Sequence, residues 1–354
     1  MFHPKRLVFC GGGTRCITFI EALVELETAG VLRNVNEYWG TSAGAFVAIL
    51  MAIGVSPTRI KPIVESTDFR DFRDMDITNI LNIANTWGLD SGNSLMAVLS
   101  RVIELLTPGS SSYTFKDVPS LHIVVSDITN RKILVLNSST HPNLNIVQAV
   151  RASMGLPLFY CPFKHPQTGD LWIDGALRAN FAWDLLPTDE DRRESLGFCF
   201  SKTVNKGPDT FVEFMFSMVH FDEPAKQSVW KLKWPHNILW FPTPPFPAWY
   251  MRLVQEDFDL LWKTGSQVAT TWLSDIRPRL DNTLPLENNL LMKDSASKTV
   301  ESHLPSSLPK TPLQIHPALP TESSGIPLSR PLLPGGSAVP QSPEARRAFR
   351  RWSL

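Results

Sequence analysis

Three observations predict an α/β fold with a mainly parallel central sheet. Strand-like apolar runs alternate with helical ones, two strand-to-helix joints are rich in glycine, and the chain opens in the order β-α-β-α, that of a right-handed parallel crossover. "LVFC" (7–10) reads as a buried strand, "ITFIEALVELETAG" (17–30) as an amphipathic helix stopped at Gly30, and "VNEYW" (35–39) as a second strand. Ala43–Gly54 continues as an apolar helix, and Ser56-Pro57 offers an N-cap with proline at N1 for the next one. Further on, "LHIVVSDI" (121–128) and "RKILVLN" (131–137) predict a hairpin across Thr129-Asn130, followed by a helix near 144–153. "DLWID" (170–174) is a short strand closed by Gly175, "SLGFCF" (195–200) is another strand, and "MRLVQEDFDLLWKTGSQVATTWL" (251–273) is a long helix.

Of the 354 residues, 34 are basic and 34 acidic, a net charge of +0 that removes any global electrostatic case for a nucleic-acid partner. Cysteines 10, 16, 161 and 199 lack the paired spacing of a zinc site or a disulfide framework, so reduced thiols and no metal are expected. The apolar run after Met1–Arg6 stops at Gly11, too short for a signal peptide. The longest apolar stretch, Ala43–Val55, is well short of the roughly 20 residues that span a bilayer. A cytoplasmic protein without a transmembrane helix is the expectation.

Composition divides the chain into a folded domain at 5–276 and a tail at 277–354. The tail holds 12 of the 29 prolines and only two aromatics, Phe349 and Trp352, too little core-forming material for a packed structure, so it is expected to be disordered.

Chemistry concentrates at the two glycine joints. Gly11-Gly12-Gly13-Thr14-Arg15-Cys16 runs from the first strand into a helix, leaving backbone amides open where an anion is stabilised. A dinucleotide fingerprint wants glycine where Cys16 stands, and a P-loop wants Gly-Lys-Ser/Thr, so an oxyanion hole is the remaining reading. Gly40-Thr41-Ser42-Ala43-Gly44 matches G-x-S-x-G, which alone is also compatible with a buried small-residue turn. Here it falls where the second strand ends and a helix begins, as a nucleophile elbow requires. The two joints then lie side by side at the C-terminal edge of adjacent parallel strands, where open α/β sheets place their sites.

A serine hydroxyl needs a proton acceptor, and the next histidine downstream is His122. The later histidines sit mostly in loop-like or tail contexts. The next candidate is a carboxylate, and Asp174 ends a short strand before Gly175-Ala176; an ordinary Asp-Gly turn is the competing reading of that dipeptide.

Taken together, GGGTR at 11–15, GTSAG at 40–44 and DGA at 174–176 resemble the patatin-like phospholipases, which are related in catalytic plan to the cytosolic phospholipase A2 group. "RASMGLPLFYCPF" (151–163) is similar to the family's RAS-x-x-x-P segment, and "DGALRAN" carries its later asparagine at Asn180. Cys16 departs from the pattern, standing where the family usually has glycine. The resemblance covers about residues 5–275 and implies a three-layer α/β/α architecture. It further implies a Ser-Asp dyad without cofactor, in which Ser42 attacks an acyl ester and Asp174 takes its proton, with Gly11, Gly12 and Gly13 amides as the oxyanion hole. Arg15 would contact a phosphate or brace the loop, or be a solvated helix-start residue; the Cys16 side chain could narrow an acyl channel.

The implied activity is lipid acyl hydrolysis at a membrane or lipid-droplet surface, with acyl transfer or a catalytically weak scaffold as alternatives on the same residues. Peripheral membrane association has two candidate carriers in the sequence. "KQSVWKLKWPHNILWFPTPPFPAWY" (226–250) sets Trp230, Trp234, Trp240 and Trp249 among lysines, which suits either a membrane interface or core packing. "EARRAFRRWSL" (344–354) is a basic-aromatic end that suits anionic lipid or plain solvation.

Overall fold

The first strand, β1 (Arg6–Phe9), is buried on both faces, with Leu7, Val8 and Phe9 wholly removed from solvent. That is why it reads as a continuous apolar run rather than an alternating one. The structure, a computed structural model, describes residues 2–75, 81–201 and 223–281. Within it β1 pairs in parallel with β2 (Glu37–Thr41) on one side and, on the other, with a strand at Ser195–Ser201.

The remaining strands are β3 (Gly88–Asp90), β4 (Leu121–Asp127), β5 (Lys132–Leu136), β6 (Leu158–Tyr160), β7 (Phe163–Lys164), β8 (Leu171–Asp174), β9 (Ser195–Ser201) and β10 (Ile238–Pro242). Neighbours in the main sheet run β10-β9-β1-β2-β4-β8-β7, with β5 also on β4. The five strands from β10 to β4 are parallel, while β5, β8 and β7 join antiparallel. β3 and β6 form a separate parallel pair. A mixed α/β architecture with a mainly parallel central sheet and helices around it is therefore what the chain adopts, as its sequence predicts.

Register on β4 decides where the site forms. β2 lies along the first half of β4 and ends with Thr41 opposite Val124; β8 lies antiparallel along the second half and ends with Asp174 opposite Val125. β5 already occupies the other edge, opposite both valines, so β2 and β8 share one edge and meet tip to tip.

The main helices are α1 (Thr18–Thr28), α2 (Ala43–Ala52), α3 (Pro57–Ser66), α4 (Asn93–Leu106), α5 (Ile146–Ser153), α6 (Glu223–Lys233) and α7 (Gln255–Asp281). Pro57 opens α3 as expected, although Ser56 Oγ bonds Glu27 and Thr58 rather than capping an amide. Asn145 caps α5 by accepting from the Val147 and Gln148 amides. α7 starts after the predicted 251 because the Asp257 carboxylate accepts from the Val254 amide and closes its first turn there. No helix among the described residues is long and apolar enough to cross a membrane.

The aromatic stretch at 226–250 divides between core and surface. Trp230 and Trp234 on or beside α6 and Phe241 in β10 are buried, and Phe241 packs on Phe19 at 4.9 Å between ring centroids. Lys231 and Lys233 lie over the Trp240 and Trp234 rings. The sequence cannot separate these aromatics because helix α6 and strand β10 bury some of them by direction alone. The expected tail lies outside the described residues beyond Asp281, and so does the basic-aromatic end.

Candidate active site

β2 passes into α2 with no intervening loop, and Ser42 sits at the bend with φ +54° and ψ −132°. Positive φ is costly for a residue with a Cβ, so the surrounding structure must hold this one. Part of the hold is a relay from α5: the Ser42 amide donates to Ser153 Oγ at 2.8 Å, and Ser153 Oγ donates to the Val124 carbonyl at 2.6 Å. Another part is the close crossing of α2 over β1, where a Cβ on Gly44 would meet the Phe9 carbonyl oxygen at 2.8 Å. Only glycine fits that crossing.

Ser42 Oγ donates to Asp174 Oδ2 at 2.7 Å. Asp174 is buried, its other oxygen accepts from the Ala176 amide at 2.8 Å, and its own amide donates to the Gly155 carbonyl at 2.9 Å. Burial pushes the Asp174 carboxyl up to about 7, and the bonds from Ala176 and Ser42 pull the other way without cancelling it. Such a group is a far better proton acceptor near neutrality than a solvated aspartate at about 3.9.

The glycine turn lies against the elbow, since a Cβ on Gly11 would stand 2.9 Å from Ser42 Cβ. Its amides are not equivalent. Gly11 N–H donates to the Asn180 carbonyl at 3.0 Å, whereas among the described residues the Gly12 and Gly13 amides meet no acceptor. Of the three amides expected to serve as oxyanion donors, Gly11 spends its hydrogen bond joining the turn to the segment after β8. Asn180 is braced in turn by donating from Nδ2 to Glu223 at 3.2 Å.

Arg15 braces a loop: its Nε donates to the Phe246 carbonyl at 2.7 Å, and a terminal guanidinium nitrogen donates to the same oxygen. Thr14 N–H donates to the Ala248 carbonyl at 3.0 Å, so the 246–250 segment is strapped onto the turn. Cys16 is buried beneath it with Sγ 3.5 Å from the Cys10 carbonyl, and burial raises its thiol well above the ordinary range. Its side chain fills core space under Gly12.

The structure therefore brings together Ser42, Asp174 and the two glycine joints. Sequence reading named Asn180 without a task and gave none to Ser153, although both lie in quoted segments. Of the histidines, His122 stacks on Trp39 near the start of β4, at 4.3 Å between centroids, while Thr41 ends its pairing further along the strand.

A buried carboxylate bonded to an elbow serine, beside a glycine turn with open amides, defines a serine-carboxylate site on an α/β sheet. Residues 7–187 match the Patatin family model, described as patatin-like phospholipase, and the chain belongs to that family. It is similar to "Probable lipid hydrolase 463L" of Invertebrate iridescent virus 6, at 25 % identity over 188 residues, 52 % of this chain and 63 % of that protein. It is also 29 % identical over 191 residues to "Patatin-like phospholipase domain-containing protein 6" of Homo sapiens, 51 % of this chain but only 12 % of that one. Among solved structures, VipD from Legionella pneumophila superposes with a TM-score of 0.55 at 15 % identity, over 77 % of this chain and 67 % of that one, a likeness of fold.

Proposed function

We propose that the protein is a lipid acyl hydrolase, of phospholipase A type or a related lipase, with Ser42 as nucleophile and Asp174 as proton acceptor. The 2.7 Å bond between them, at a serine held in left-handed backbone, carries the reading. As Ser42 Oγ attacks the acyl carbonyl carbon, its proton passes to Asp174 Oδ2 and the carbonyl oxygen takes the negative charge. Amides of Gly12 and Gly13 would hold that oxyanion. Collapse breaks the ester C–O bond, and the leaving alcohol takes the proton back from Asp174. A water molecule, deprotonated by the same carboxylate, then attacks the acyl-enzyme; the Ser42 Oγ–acyl bond breaks, Asp174 returns the proton to Oγ, and the fatty acid leaves, whereas an acceptor alcohol in place of water would give acyl transfer. Membership of the family and the name of the viral relative support lipid as the substrate class; a membrane or lipid-droplet surface is where we propose it is presented.

The test is labelling of the full chain by a fluorophosphonate, together with turnover of a panel of acyl esters and lipids. Parent protein should label and turn over, and Ser42→Ala should do neither. Equal turnover by parent and Ser42→Ala would end the proposal.

A further inference from the structure

Three stretches of the sequence, 77–89, 152–163 and 234–251, contain no Asp, Glu, Lys or Arg. Described parts of all three are joined to one another, the second touching Asp174 and the third the glycine turn. The second carries Gly155, whose carbonyl accepts from the Asp174 amide. The first joins it through the β3–β6 pair, with Gly88 opposite Leu158. The third is strapped to the glycine turn by Thr14 and Arg15, and Arg73 links it to the second: its guanidinium donates to the Trp249 carbonyl at 3.3 Å and lies 5.6 Å from the Phe159 ring centroid.

The first two of these charge-free stretches, with Arg73 and Arg15 as the cations that brace the rim from outside them, also hold large apolar groups out to solvent. Leu81 is 79 % exposed, Trp87 52 % and Leu158 44 %. Trp87 and Leu158 do so from left-handed backbone, at φ +55° and +67°. Glycine would adopt that conformation freely, whereas a bulky side chain is strained there. Two neighbouring positions thus tolerate strain while presenting a large apolar side chain to water, and exposed apolar clusters of this kind mark interaction surfaces.

Resting on the lipid-hydrolase reading above, we propose that this rim is the surface on which the protein docks to a phospholipid bilayer. Leu81, Trp87 and Leu158 enter the headgroup–acyl boundary. The lack of charge selects the occupant. A rim with an indole at its edge matches the water–lipid boundary, where aromatic rings settle, and attachment through apolar burial needs no anionic lipid.

The experiment is co-sedimentation of the full chain with phosphatidylcholine vesicles, comparing parent, the double variant Trp87→Ser/Leu158→Gly, and Trp87→Phe. The double variant should partition about tenfold more weakly or worse, and Trp87→Phe should stay within about threefold of parent. Parent binding should hold from about 50 to about 500 mM salt. Fluorophosphonate labelling of Ser42 should proceed alike in all three, showing that each is folded; glycine at 158 relieves the backbone.

Double-variant binding within about twofold of parent overturns the proposal, as does parent binding that collapses with salt. Self-association of parent without vesicles, lost in the double variant, would assign the patch to a second copy and overturn it too. Parent that binds vesicles through the rim yet takes no label leaves the docking surface standing and removes the hydrolase reading instead.

Discussion

Ser42 Oγ and Asp174 Oδ2 lie 2.7 Å apart although 132 residues separate them in the chain. They meet because their strands end against consecutive residues of β4, Thr41 opposite Val124 and Asp174 opposite Val125. The same strand anchors the elbow from beneath, since Ser153 holds the Ser42 amide and donates to the Val124 carbonyl. The pair is thus positioned by backbone register, with little left to side-chain freedom.

Activity should carry an acid limb. Asp174 must be ionised to accept the serine proton, and burial pushes its carboxyl up to about 7. The expected kcat/KM for a soluble ester falls tenfold per pH unit well below about 7, and the rate of fluorophosphonate labelling follows the same curve. A profile flat down to about pH 5 would contradict this assignment.

Stability should move the opposite way. With the folded carboxyl above its unfolded value, the unfolded chain gives up this proton first, so the contribution is fully present below about pH 4 and is lost as pH rises to about 7. Asp174→Asn removes the buried charge and should leave a protein more stable than parent at pH 8 by up to about 4 kcal/mol, with the difference shrinking toward pH 4. Its turnover should fall by about 10²–10⁴. Urea denaturation at both pH values checks the first statement.

Ser153→Ala removes the acceptor of the Ser42 amide and the donor to the Val124 carbonyl in one step. Unpaired buried groups of this kind cost about 1–3 kcal/mol. Because Ser42 then loses part of what holds its left-handed backbone, kcat should fall more than KM rises, as steady-state kinetics on a soluble ester will report.

Gly13→Ala should be more damaging than its size suggests. Gly13 has φ +58°, and the place of a Cβ is taken by the Ala248 backbone of the strapped loop. Strain alone is worth about 1–3 kcal/mol, and relieving the clash means displacing the strap and the open amides with it. A lowered melting temperature together with lost labelling is the expected pair of results.

Much of this was legible beforehand for definable reasons. β1 reads clearly because it is buried on both faces, and the elbow because a strand, a G-x-S-x-G turn and an apolar helix follow without interruption. The second strand is displaced from its predicted 35–39 to Glu37–Thr41, since Gly40 has weak strand propensity and pairing with β1 and β4 carries the strand through it to the serine. β3 and β6 are three residues each, too short for a periodic signal, so the rim they form is invisible in sequence.

The sequence by itself determined the α/β class, the two glycine joints and Ser42 and Asp174 as candidates, because these rest on local pattern and on motifs contiguous in the chain, while their pairing was implied by the family resemblance of those motifs. Only the tertiary structure decided that Gly11 has spent its amide on Asn180, that Arg15 braces the Phe246 loop, that Trp230 and Trp234 are core, and that three charge-free segments are joined to one another beside Asp174 and the glycine turn. Each of those depends on which distant backbone or side chain arrives as a neighbour, and that is fixed by strand register and packing rather than by any local run of residues.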